Sequence, residues 1–145
     1  MQNPTREQVA VALFTQLQTA VGFNTFSRRP QLWNNTVALP ALYMGQTKEG
    51  LTYSGDNTAL NLNILYFPIT IYINAGQDPN VTPDTLLNNL LDAIDTALAP
   101  PPTQPDKQTL GGIVSYARRE GEMIRVPGYL DGQGGAFFEI KVLVP

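Results

Sequence analysis

LNLNILYFPITIYIN, Leu60 to Asn74, is the longest stretch of the chain rich in β-branched and aromatic residues, with Asn and Gly on both sides of it. Such a composition between turn-forming residues reads as one long β-strand. Its apolar periodicity changes phase along the way. From Leu60 to Ile64 the even positions are apolar and Asn61 and Asn63 lie between them, whereas from Leu65 the odd positions carry Leu65, Phe67, Ile69, Ile71 and Ile73. The buried face therefore switches near Leu65. A switch beside Pro68, which has no N–H to give to a ladder, predicts a β-bulge or bend in this strand and a place away from the middle of a flat sheet. The expectation is one long, bent strand against which helices pack.

A chain of 145 residues predicts one domain, 1–145, large enough to bury a real core. Only 14% of residues are charged, while Asn, Gln and Thr number 11, 10 and 14, so the surface is polar but largely uncharged, which suits protein contact. A net charge of -3 and scattered Lys and Arg argue against a phosphate-binding role. There is no cysteine and no histidine, which removes disulfides, thiolate metal sites, the usual nucleophile–base pairs and the commonest metal ligands. No cofactor or metal is expected. MQNPTREQVA has no basic segment leading into an apolar core and no stretch approaches a membrane span, so a soluble protein made in the cytoplasm is expected.

Outward from the strand, residues 3 to 22 read as a first helix, with Asn3 as N-cap before Pro4 or an overlapping capping box from Thr5 to Gln8, and Gly22 as its stop. Val9, Ala10, Leu13, Phe14, Leu17, Ala20 and Val21 form its apolar stripe. Phe23 to Leu32 and Val37 to Met44 read as short strands. Arg28 and Arg29 close the first of them, either pairing with carboxylates and water or contacting a partner. Gly45 to Thr58 has three glycines and no helical period, so it is a long surface loop or a loose hairpin. Leu51 and Tyr53 in its centre would be wasted on water and suggest an arm that docks on a neighbour. Thr82-Pro83-Asp84 opens a second helix whose apolar face is Leu86, Leu87, Leu90, Leu91, Ile94 and Leu98. Prolines 100, 101, 102 and 105 end it in a stiff connection. Ile113 to Arg119 and Met123 to Val126 read as strands joined by a Glu120-Gly121-Glu122 turn, and Phe137 to Val144 as a half-buried antiparallel strand.

Glu120, Glu122 and Asp131 form the one acidic cluster that could serve as a paired-carboxylate hydrolase site; as turn residues in water they carry no chemistry. Gly132 to Gly135 matches no phosphate-binding fingerprint, because no helix follows it.

FSRRPQLWNN, ALPALYMGQ, the long central strand, the helix TPDTLLNNLLDAIDTAL and the closing LGGIVSYARREGEMIRVPGYLDGQGGAFFEIKVLVP together resemble the tail-terminator family of long-tailed bacteriophages. The most specific parts are Leu110-Gly111-Gly112, Glu120-Gly121-Glu122, Leu130-Asp131-Gly132-Gln133 and Val142-Leu143-Val144-Pro145. The resemblance implies a non-enzymatic virion subunit, assembled in the host cytoplasm, that forms a hexameric ring at the head-proximal end of the tail. Its partners would be copies of itself, the tail tube with any sheath, and neck connector proteins, with DNA passing through the lumen unbound. A neighbouring neck or gateway connector ring subunit shares this general look. Leu51, Tyr53, Arg28 and Arg29 are the contact residues to test. The expected fold is α+β, a mostly antiparallel sheet of four to six strands with two helices packed on one face.

Overall fold

The structure, a computed structural model, describes residues 4–36, 38–53 and 60–144. Its elements in chain order are α1 (Arg6–Leu17), β1 (Thr25–Ser27), a 3-10 turn at Trp33–Asn35, β2 (Ala41–Met44), β3 (Lys48–Tyr53), β4 (Leu60–Asn74), α2 (Pro83–Ala97), β5 (Tyr116–Val126) and β6 (Gln133–Val144). The six strands form one sheet in the order β1-β2-β4-β6-β5, with β3 also pairing with β4. Only β1 and β2 run parallel, so the fold is α+β with a mostly antiparallel sheet.

β4 occupies the bounds its composition predicts, but not the place. It lies in the middle of the sheet, and its register with β6 runs without a shift from Asn63↔Val144 to Asn74↔Gln133, so β4 carries no bulge against β6. The extra residue sits in the facing chain instead. Between Met44↔Ile69 and Lys48↔Tyr66 three residues, 45–47, face two, 67 and 68, so β2 and β3 are one edge interrupted opposite Pro68. The Pro68 carbonyl accepts from the Gly45 N–H at 2.9 Å and so points to that edge. In a strand a residue's nitrogen points the same way as its carbonyl, so the missing N–H of Pro68 falls into the gap and leaves the β6 ladder whole.

Leu65, Phe67, Ile69, Ile71 and Ile73 of β4 and Ala136, Phe138, Ile140, Val142 and Val144 of β6 are buried on one face. Both helices cover it, α1 through Val9, Ala10, Leu13 and Leu17 and α2 through Leu87, Leu90, Leu91 and Ile94, in one continuous core. Helix α1 starts at the capping box, where the Gln8 N–H donates to Thr5 Oγ1 at 3.1 Å and the Thr5 N–H to Gln8 Oε1 at 2.8 Å; Asn3 lies outside the described residues. It ends sooner than Gly22, because the N–H groups of Thr19 and Ala20 turn to the carbonyls three residues back and the Thr19 hydroxyl caps the Gln16 carbonyl at 2.7 Å. Val21 is consequently exposed rather than part of the stripe.

Other boundaries also depart from the sequence expectation: β1 is Thr25–Ser27 rather than Phe23 to Leu32, β2 starts at Ala41 rather than Val37, and β6 starts at Gln133 rather than Phe137. β5 begins at Tyr116, because Leu110, Gly111 and Gly112 all have positive φ and Ile113 and Val114 close a tight turn onto the Thr109 carbonyl. Glu120-Gly121-Glu122 is not a hairpin turn. It belongs to a bulge in one continuous strand, where residues 121–123 face Phe138 alone and Gly121 supplies φ of 75°. Among the described residues no helix is long and apolar enough to cross a membrane.

Candidate interaction surface

The face of the sheet opposite the helices is open over most of its area, and the register orders its side chains into rows across the strands, about 7 Å apart. Ile64, Leu143 and Tyr116 form a half-buried apolar row, and Lys48, Tyr66, Lys141 and Arg118 the next one. Pro68, Glu139 and Glu120 follow, then Thr70, Phe137 and Ile124, then Tyr72, Gly135 and Val126. Four of the five charges of the middle rows pair within the face, Lys141 being left without an ion pair among the described residues. Lys48 lies 3.5 Å from Glu139 and 4.6 Å from the Tyr66 ring centroid, and Arg118 lies 3.3 Å from Glu120 and 4.5 Å over Tyr116. Glu139 Oε2 is shielded from water without a hydrogen bond, so its compensation is the Lys48 charge alone, which needs distance and not angle. A face with one unpaired cation among paired charges is a poor track for phosphates. Its apolar end is exposed instead, with Phe137 at 39%, Val126 at 46% and Ile124 at 65%.

At one end of β4 the chain expected to be a loop over Gly45 to Thr58 is the β3–β4 hairpin, and residues 54–59 lie outside the described residues. Its base is tied to α1. Arg6 forks onto Glu49, with Nη2 donating to Oε2 at 3.0 Å, and Arg28 forks onto Glu7 at 2.7 and 3.0 Å and reaches Gln46 at 3.3 Å. Arg28 is therefore spent on an internal pair. Leu51, beyond this lock, is 56% exposed, and Tyr53 pairs with Leu60 after a register shift. Arg29 is exposed, its backbone N–H donating to Ser27 Oγ at 3.0 Å.

Hydrogen bonds from Arg28 and Arg6 hold the Glu7 and Glu49 carboxyls below the usual carboxylate range. A lowered folded-state pKa adds stability that is present in full above the unfolded value and disappears as pH falls through the folded one. A Glu7→Gln, Glu49→Gln variant is thus expected to melt below the parent at neutral pH, the gap closing as pH drops through and below the ordinary carboxylate range. Thermal melts from pH 7 to pH 2 read this directly, and a gap independent of pH would refute it.

At the other end of β4 the residue 127–132 turn presents Leu130, 98% exposed, beside Tyr129, 67% exposed. The Tyr129 hydroxyl donates to Asp84 Oδ2 at 2.8 Å, which raises its pKa. A surface cleft of about 400 Å³ runs between this turn and residues 76–83. Leu130 and Asp131 enter the sequence expectation through the family resemblance and the acidic cluster, not as an exposed apolar tip, although two large apolar groups between Gly128 and Asp131 are a visible signal.

Of the three carboxylates of the hydrolase alternative, Asp131 is not brought to Glu120. Glu120 is level with Glu139 on the open face, Glu122 lies in the bulge, and Asp131 lies beyond the Gly135 row. Four residues of β6, about 13 Å, separate the two rows, more than the roughly 5 to 9.5 Å that acid and nucleophile or base span in glycoside hydrolases. No protein-family model matches the chain, and no curated protein matches it significantly.

Proposed function

We propose that this chain is a structural virion protein of a long-tailed bacteriophage, a ring-forming tail terminator that caps the head-proximal end of the tail tube and joins it to the neck. The observation that carries the reading is the placement of unlike exposed apolar surfaces on one small chain. Leu51 projects from the hairpin at one end of β4 and Leu130 from the turn at the other, with the Phe137 and Ile124 row on the open face between. The 15 residues of β4 put its two ends about 50 Å apart. A subunit joining two assemblies needs two different ends, and a ring needs two different flanks, because a heterologous contact closes only when it pairs unlike surfaces. The net charge of -3 suits a lumen through which DNA passes without being held.

Light scattering and negative-stain images of the concentrated protein, with co-sedimentation on tail tubes, test the reading. Hexameric rings or tube-bound protein are expected, and Leu51→Asp is expected to weaken tube or neck joining while changing monomer stability by less than about 0.5 kcal/mol. A strict monomer that ignores tubes would sink it.

A further inference from the structure

One corner of the open face is covered. After β1 the chain leaves Ser27, and residues 29–36 cross this face to β4, where the Tyr72 hydroxyl donates to the Gln31 carbonyl at 2.9 Å and Trp33 Nε1 to the Ile73 carbonyl at 2.9 Å. They come back over β2 at Thr36, whose hydroxyl lies 2.8 Å from that of Tyr43. The register sets Ala41 level with Tyr72 and Tyr43 level with Thr70, so both side chains belong to the open face, yet they are 0% and 2% exposed.

This covered patch is separate from the main core. Leu42 and Met44, on the other side of β2, belong to the continuous core under the helices, whereas Ala41 and Tyr43 do not. The Tyr43 ring packs instead against Tyr72, with centroids 5.7 Å apart and planes at 67°. The covering segment is tied to the sheet by side chains. Among the described residues its backbone bonds are internal, from the Asn35 N–H to the Leu32 carbonyl at 3.0 Å and from the Thr36 N–H to the Trp33 carbonyl at 3.1 Å, and no ladder joins it to a strand. Trp33 and Thr36 are half-buried and the other six of its residues are exposed. The strands on either side are held differently, β1 packing on the main core through Phe26 and β2 through Leu42 and Met44. A segment with few buried contacts, over a satellite of the core, opens at a lower free energy than the whole molecule.

We propose that residues 29–36 are a strap that lifts from the sheet while the helices and strands stay folded. Arg28, forked onto Glu7 at 2.7 and 3.0 Å, fixes one end of it. Lifting the strap enlarges the open face. With the strap closed, the exposed apolar surface is that of Phe137, Ile124 and Val126; with it open, the Ile124–Phe137–Thr70 row runs on to Tyr43 and the Val126–Gly135–Tyr72 row to Ala41, one surface from β5 to β2. The strap thus sets how much of this face is accessible.

Trp33 is the chain's one tryptophan, so its fluorescence reports the strap while far-UV circular dichroism reports the helices and sheet. In a urea titration of the parent chain, Trp33 emission and its quenching by acrylamide are expected to change at lower urea than the circular dichroism and with a shallower slope, because opening exposes little surface. Tyr72→Phe removes the bond to Gln31 and keeps the ring. It is expected to raise the open population about threefold or more, moving the Trp33 transition to lower urea and leaving the circular dichroism midpoint in place. Ala41→Cys and Ala136→Cys each supply a single thiol, at fully buried alanines in neighbouring rows on opposite faces of the sheet. Without denaturant the Ala41→Cys thiol is expected to react with a small thiol reagent about 100-fold faster or more, since the Ala136→Cys thiol waits for the core to open. Coincident Trp33 and circular dichroism transitions of equal slope would overturn the strap. Equal reactivity of the two thiols would overturn it too, as would a Tyr72→Phe chain in which both transitions move together.

Discussion

Phe67→Ala is expected to cost about 3 to 5 kcal/mol, the largest loss from any single truncation on this sheet. Phe67 is fully buried at the centre of β4, opposite Ile140, in the core shared by both helices. A core drawn from both helices and from β2, β4, β5 and β6 cannot collapse together into the space, so the transfer term and the cavity term add. Denaturant melts should show a lower midpoint with an unchanged slope. Phe137→Ala is the internal comparison: the same residue type three residues along the β4–β6 ladder, on the open face and 39% exposed, should lose under about 1 kcal/mol in the monomer. Equal losses at the two positions would mean that the open face is covered in the isolated chain and would contradict the layering described.

The second large effect is expected at Gly132. Its φ is 77°, and an added Cβ would lie 2.3 Å from the Gly76 carbonyl oxygen and 2.7 Å from the Gly76 nitrogen. Gly132→Ala therefore combines the left-handed cost of about 1 to 2 kcal/mol with a backbone collision that has to separate the turn from residues 75 and 76. That separation breaks the hydrogen bond from the Ala75 N–H to the Gly132 carbonyl, 2.8 Å long. A total of about 2 to 5 kcal/mol is expected, against about 1 to 2 kcal/mol for Gly111→Ala, where φ is 80° but nothing lies within 4 Å of the Cβ. Thermal melts of the pair isolate the collision from the dihedral strain. Matching losses would show that the turn yields freely.

Long elements with strong local signals were legible in the sequence. β4 follows its β-branched run, α1 starts at the Thr5 capping box, and α2 starts at Pro83 after Thr82, whose side chain makes no capping hydrogen bond. What could not be read was set by partners distant in the chain. The change of phase near Leu65 was assigned to a kink in β4 itself, whereas the extra residue lies in the facing segment, and only the pairing reveals which strand absorbs it. Gly121 between two glutamates has the local chemistry of a hairpin turn, and a one-sided bulge uses the same left-handed glycine. Leu51 was legible as a large apolar residue in a polar segment, but Arg28 and Arg29 read alike in the sequence, because the partner that sets Arg28 apart lies 21 positions back on α1.

The unbroken ladder between β4 and β6 also fixes how fast this chain can find its fold. Its pairs join residues between 59 positions apart, at Asn74↔Gln133, and 81 positions apart, at Asn63↔Val144. The β3–β4 side is local and closes early, while the β6 side must pay the closure entropy of a long intervening chain before any of its contacts are rewarded. Sheets dominated by such pairings fold in milliseconds to seconds rather than microseconds. Until β6 arrives, the isoleucine-rich edge of β4 is open to any passing strand, so in a crowded assembly the rate of this one step sets the window for mispairing.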